Sequence, residues 1–316
     1  MASQRTQRLL YFGMFGPLSH LPLAALLDSG TAVAAVVVPA RSATPNPPTI
    51  RRLMPPPGWS SQPASFAARL KQTAIDLAWA RGVPVLEVAR LNDAAVRAAL
   101  VAYAPDLIAV SCFPQRFPRW LLALPRGGVL NLHPAPLPRG RGPDPLFWLF
   151  REPEGAGANE AGVTVHLMDQ RLDAGPIVLQ ERFPLPDGMT GRELELRAAA
   201  LGAGLLARSV EAVMDGTARP QPQDEAAASA YPLPTAADYI VTPDRPARWA
   251  FNFLRGTAGG GYPHQLHIGE RSWLVRAVQG YDPDATLPAP FVAAGDTLRV
   301  RCAPGVLAVT SSTVRT

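Results

Sequence analysis

The stretch "TAVAAVVVPA" at residues 31–40 restricts what this chain can fold into more than any other. It is a β-branched run with no polar alternation, which suits a strand covered on both faces. Such strands sit in parallel sheets packed between helices. Similar runs recur at 8–14, 83–88 ("VPVLEV"), 105–112 ("PDLIAVSC") and 127–133 ("GGVLNLH"). Between them lie stretches of helical period at 18–29, with Ser19 near the start, at 64–82, and at 91–104, with Asn92 as cap. "PRWLLALP" (118–125) adds a short helix. This alternation predicts an α/β fold with a doubly wound, mostly parallel, Rossmann-like sheet.

Further along, Asp144 as N-cap and Pro145 in the first turn predict a helix over 144–152. Residues 162–168 and 176–185 are expected as strands, and 190–215 as one long helix capped by Thr190. Residues 218–238 have the composition of a linker, and 239–316 read as a helix followed by short strands with turns. The expected division is therefore a large domain over 1–217, a linker over 218–238, and a smaller, mostly β, OB-like domain over 239–316. Two widely spaced cysteines, Cys112 and Cys302, fit a reducing compartment. No apolar run reaches the length of a membrane span, and the N-terminal run is too short for a secretory signal, so a cytoplasmic protein with no membrane partner is expected.

Charge is unevenly spread. The net charge is +5, and between residues 40 and 82 Arg41, Arg51, Arg52, Arg69, Lys71 and Arg81 stand against Asp76 alone. Such a region suits a phosphate-bearing partner, or else a solvated loop and helix face.

The chemistry is concentrated in "NLHPAPLPRGRGPDP" (131–145), where an apolar strand stops against a run of prolines and glycines. Asn131 and His133 are two apart on that strand and share a face. Open α/β sheets bind ligands beyond the carboxyl ends of their strands, where these two residues fall. An imidazole moves protons near neutral pH, and a carboxamide donates to an oxygen that becomes negative. Asp173, in "RLDAGP", is the carboxylate candidate that would orient and charge the imidazole. The set suits acyl transfer to a nucleophile that loses a proton, and no G-x-S-x-G elbow supplies a covalent alternative. From these residues alone a plainer reading also stands, in which Asn131 caps a turn and His133 packs in a core. "FGMFGP" (12–17) lacks the nicotinamide-binding glycine pattern, and "GTAGGGYP" (256–263) reads as a turn. His264 and His267 have no accompanying cysteine or carboxylate cluster, so no metal is expected. His166 is expected as a core or pocket-edge histidine, and Trp148 as core or as a wall of the acceptor pocket.

The motif "NLHPAPLPRGRG" resembles the N-x-H-x-S-L-L-P-x-x-R-G segment of the 10-formyltetrahydrofolate-dependent formyltransferases. "GVTVHLMDQRLDAGPIVLQE" (162–181) is similar to that family's second signature, with its aspartate at Asp173. "PDRPARWAFNFLRG" (243–256) resembles the start of the C-terminal domain in the methionyl-tRNA formyltransferases. The resemblance spans nearly the whole chain and makes 1–217 a catalytic domain. It implies that an amine attacks the formyl carbon of 10-formyltetrahydrofolate, the co-substrate, with Asn131 and protonated His133 on the oxyanion and Asp173 holding His133. It further implies a pterin pocket at Phe113, Pro114, Gln115, Arg116 and Phe117, with Asp169 and Leu172 from the Asp173 loop.

This sequence also departs from the family pattern. Ala135 and Pro136 replace the motif's serine and first leucine, and Leu146, Phe147 and Trp148 replace a small-residue segment. The tRNA enzymes carry a basic, glycine-rich insertion where this chain has the proline-rich residues 40–63. Residues 239–316 hold eight arginines against five acids. That is a lean charge for a surface that must make several phosphate contacts. The expected acceptor is therefore a small amine: an amino sugar on a nucleotide, an amino acid, or a carrier-bound amino acid. Charged methionyl-tRNA is the alternative, and an inactive folate-binding module is the second.

Overall fold

The computed structural model of the protein describes residues 7–40, 49–61, 73–152 and 159–313. Contacts within the chain gather it into two compact units, one of 1–141, 162–182 and 195–229, the other of 142–161, 183–194 and 230–316.

The first unit is organised by a mostly parallel sheet of eight strands, in the order β3-β4-β2-β1-β5-β6-β7-β8. These are β1 (Leu9–Gly13), β2 (Val33–Pro39), β3 (Ile50–Leu53), β4 (Val85–Val88), β5 (Leu107–Ser111), β6 (Val129–His133), β7 (Glu160–Leu167) and β8 (Ile177–Pro184). The runs read as doubly covered strands are so covered: β1, β4 and β5 are buried at every position, and Val36, Val37 and Val38 of β2 are at most 1 % exposed. β1 is parallel to both β2 and β5, so the strand order reverses on either side of it. That reversal opens the crevice at the carboxyl ends of β1, β5 and β6. β6 runs parallel to β5 and antiparallel to β7, with Asn131 opposite His166 and His133 opposite Thr164.

Helices α1 (Pro17–Asp28), α2 (Ala74–Ala80), α3 (Ala94–Ala102) and α4 (Arg119–Leu122) connect the strands. Ser19 does not cap α1. It is buried, and its hydroxyl donates to the Ser111 carbonyl and accepts from the Met14 N–H, tying the ends of β1 and β5 together. Asp93, not Asn92, caps α3, its carboxylate accepting from the Ala95 N–H. Of the helix expected over 64–82, residues 64–72 lie outside the described residues. β3 was not expected. "IRRL" is short and half polar because it is an edge strand, antiparallel to β4 alone, and needs no apolar run.

The second unit holds a six-stranded sheet in the order β12-β13-β14-β11-β10-β9. Its strands are β9 (Ile240–Val241), β10 (Gln265–Ile268), β11 (Arg271–Asp282), β12 (Phe291–Ala294), β13 (Thr297–Arg301) and β14 (Val306–Thr313). All pairs are antiparallel except β9–β10. Alternate residues Leu298 and Val300 of β13, and Leu307 and Val309 of β14, are buried. Helices α5 (Pro145–Arg151), capped by Asp144, and α7 (Ala247–Gly256) belong to this unit. Phe147 of α5 packs edge-on against Phe253 of α7, with ring centroids 5.6 Å apart, and lies 4.9 Å from Tyr239. Trp148 stacks on Tyr231 at 4.6 Å and donates its indole N–H to the Pro232 carbonyl. One long helix, α6 (Gly191–Met214), starts at Thr190, whose hydroxyl and backbone N–H exchange hydrogen bonds with Glu193 in a capping box.

Candidate active site

β6 ends at His133, and the chain then turns through prolines that cannot extend the strand. The turn is held from below by Thr164, buried on β7. Its hydroxyl donates to the Ala135 carbonyl at 2.7 Å and accepts from the Leu137 N–H at 3.2 Å. Gln180 on β8 donates to the Leu137 carbonyl at 2.6 Å. Ala135, where the family motif has serine, is fully buried. The turn brings the Gly140 carbonyl 2.8 Å from His133 Nε2. A carbonyl only accepts, so Nε2 carries the proton and Nδ1 is the free face of the ring.

That free face meets Asp173. The distance from His133 Nδ1 to Asp173 Oδ2 is 3.8 Å, with His133 4 % and Asp173 8 % exposed. Asp173 has φ of +51°, the left-handed region, at the tip of the loop between β7 and β8. Gly175 follows because a Cβ there would sit 1.8 Å from the Leu167 carbonyl oxygen. Burial pushes the His133 imidazole below its ordinary 6.5, and the nearby Asp173 charge and Gly140 carbonyl offset this only in part. The ring is therefore neutral at rest near pH 7.

Asn131 completes the group. Its Nδ2 lies 3.2 Å from His166 Nε2 and 3.4 Å from Asp173 Oδ1. His166 is 1 % exposed and its Nδ1 lies 3.0 Å from the Leu167 carbonyl, so Nδ1 holds the proton and Nε2 accepts. His166 thereby decides which way the Asn131 amide faces.

The expected pterin residues lie in two stretches that meet. Phe113 and Phe117 are half-buried, packed edge-on against Phe12 with centroids 5.3 and 5.0 Å away. Gln115 is tied by hydrogen bonds to the Leu91 N–H and the Ala89 carbonyl, while Pro114 and Arg116 are exposed. On the other loop, Asp169 accepts from the Arg171 N–H and Leu172 is 51 % exposed. Arg119 Nε donates to Gln170 across the two stretches. Between them lies an open pocket of about 470 Å³, lined by Arg119, Leu122, Ala123, Asp169, Gln170 and Arg171. It adjoins the Asp173 loop but has none of Asn131, His133 or Asp173 in its wall.

The family model "Formyl transferase" matches residues 22–210. The chain belongs to the formyltransferases. A methionyl-tRNA formyltransferase of Pelobacter propionicus is 33 % identical over 291 residues, 91 % of this chain and 82 % of that protein. One from Acidobacterium capsulatum is 36 % identical over 235 residues, covering 74 % of this chain and 68 % of its own. Among solved structures, an N-formyltransferase of Helicobacter canadensis, in complex with folinic acid and dTDP-3-aminofucose, superposes with a TM-score of 0.65. It has 14 % identity and covers 96 % of this chain and 99 % of its own.

Residues not among the expected site residues also enter the site of this formyltransferase, among them Arg141, the arginine of the motif over 131–142. Arg141 is 8 % exposed and its guanidinium is divided between Gln223 and Glu225. Those two partners come from the stretch expected as a linker, and only the H-bond register of the folded chain reveals them. His166 carried a visible signal, since it lies opposite Asn131 if the two strands pair as signatures in sequence order suggest. The basic residues of 40–82 are partly neutralised in this formyltransferase: Arg51 pairs with Glu87 at 2.5 Å and Arg81 with Asp28. Arg41, Arg69 and Lys71 lie outside the described residues. His264 hydrogen-bonds Thr257, His267 contacts Gln265, and no group of three metal-ligating side chains occurs among the described residues.

Proposed function

We propose that this formyltransferase moves the formyl group of 10-formyltetrahydrofolate to the primary amine of a small acceptor. The reading rests on one observation, the buried group in which His133 Nδ1 and Asn131 Nδ2 both face the Asp173 carboxylate. The donor supplies an activated formyl carbon on a nitrogen leaving group. The half-buried rings of Phe113 and Phe117 and the exposed Leu172 offer the apolar faces that a flat fused ring requires.

Neutral His133 takes the proton of the attacking amine at Nδ1. The imidazolium so formed lies between two acceptors, the Gly140 carbonyl and the Asp173 carboxylate, which favour the charge that burial opposes. It then returns that proton to the leaving nitrogen. Asn131 keeps one N–H on His166, and the other, in a long 3.4 Å contact with Asp173, turns to the oxygen that becomes negative.

The small acceptor is supported by the place where the tRNA enzymes carry their basic insertion. Here β3 folds onto the sheet edge with Arg51 held by Glu87, and Trp59 packs edge-on against Trp79. A second reading, transfer to methionyl-tRNA, is favoured by the names of the relatives that match over most of this chain. The test is release of tetrahydrofolate from 10-formyltetrahydrofolate by purified protein, with methionine-charged initiator tRNA in one reaction and nucleotide amino sugars and amino acids in the other. Turnover with a small amine alone is expected. Efficient formylation of the tRNA replaces it with the second reading, and no transfer to any amine overturns both.

A further inference from the structure

Residues 221–229 have the composition of a linker, yet in the folded chain they lie across both loops of the candidate site. Gln221 makes a two-way backbone bridge with Ile177 at the start of β8. Gln223 uses both hydrogens of its amide, donating to the Asp173 and Gly175 carbonyls at 2.8 Å each. Its oxygen accepts from Arg141 Nε at 3.1 Å and Nη2 at 2.8 Å. Glu225 accepts from Arg141 and from Arg171. Ser229 Oγ accepts from the Gly140 N–H at 2.9 Å, and its backbone bonds the Pro138 carbonyl and the Arg141 N–H. The segment thus touches both sides of the site: the turn whose Gly140 carbonyl holds His133, and the loop whose tip is Asp173.

We propose that 221–229 is a positioning strap for the active site, with Gln223 holding Asp173 in its left-handed conformation. A non-glycine residue at φ of +51° persists only where its surroundings over-determine it. A carboxamide with both hydrogens on the carbonyls of residues 173 and 175 clamps that backbone on either side. Arg141 locks the carboxamide in the one orientation that presents its N–H groups to the loop. Gln223 touches neither substrate; it acts through Asp173. The proposal rests on the formyl-transfer reading, and its test separates the two.

Two variants carry the test. Gln223→Ala removes the whole clamp, while Gln223→Glu keeps an acceptor for Arg141 and loses both donors to the loop. In each, kcat is expected to fall by about 10- to 100-fold, the range for lost support of a reacting group, with KM for 10-formyltetrahydrofolate little changed. Amide hydrogen exchange over 169–175 is expected to rise while the urea midpoint barely moves. Wild-type kcat and unchanged exchange in Gln223→Glu overturn the strap. So does a loss of activity that merely follows a uniform loss of stability. Should the wild-type protein formylate none of methionyl-tRNA, nucleotide amino sugars and amino acids, the functional reading fails, and the exchange measurement still decides the strap.

Discussion

At the scale of single residues, the proposed chemistry is divided between two side chains by their hydrogen bonds. Asn131 has no charge to lose, so its effect comes from aim, which His166 sets through Nε2. Removing one oxyanion donor typically costs about 100- to 1000-fold in rate, and Asn131→Ala is expected to lose that much tetrahydrofolate release while still folding. For His133 the prediction concerns pH. Its pKa is lowered by burial, and the groups facing it are Asp173, which raises it, the Gly140 carbonyl, which raises it, and His166, which lowers it. A neutral base loses activity as pH falls through its pKa, so the acid limb of kcat/KM is expected below 6.5, the ordinary histidine value. In Asp173→Asn the raising charge is gone, and the limb moves to still lower pH on a much lower plateau. A limb that moves upward contradicts the assignment of His133 as base.

At the scale of elements, the sheet places the site and the loops finish it. β6 was legible because the period of a strand puts residues two apart on one face, and nothing tertiary is needed to see that Asn131 and His133 go together. Asp173 was legible as a carboxylate in "RLDAGP" and, more specifically, through the resemblance of that stretch to a family signature. β3 and the Asp93 cap escaped because each rests on a short polar stretch whose neighbours decide between equal local options. Capping of the long helix was readable: Thr190 and Glu193 satisfy each other's backbone N–H groups. Thr190→Ala is expected to cost about 1 kcal/mol, measurable as a shift in urea midpoint, with kcat unchanged.

At the scale of the molecule, acid stability is where a side chain away from the site matters. His264 is 7 % exposed among Phe253, Tyr239 and Thr257, and burial pushes it down to about 4. Thr257 donates to the Phe253 carbonyl, so its oxygen takes the Nε2–H of a neutral ring. The unfolded histidine titrates near 6.5 and the folded one near 4, so the stabilising effect of the neutral ring is complete above 6.5 and is lost as pH falls toward 4. The loss is at most about 3 kcal/mol. It belongs to the unit formed by 142–161, 183–194 and 230–316. Urea unfolding at pH 7.5 and 4.5 is expected to show this slope, and His264→Phe to flatten it. An equal slope in the variant would assign the acid sensitivity elsewhere.

What the sequence determined by itself was everything carried by short-range pattern. The β-branched runs specified buried parallel strands, the alternation specified the doubly wound sheet, and the strand period put Asn131 beside His133. Only the tertiary structure decided how those side chains are held. Gln223 reaches Asp173 across 50 residues and Arg141 across 82. The tautomer of His133 depends on a carbonyl that a proline turn folds back, and the aim of Asn131 depends on a histidine from the next strand. The physical reason is one of range. Burial and periodicity act on neighbours along the chain, whereas a hydrogen bond that orients a reacting group needs a partner at about 3 Å, and such partners are brought there by the fold alone.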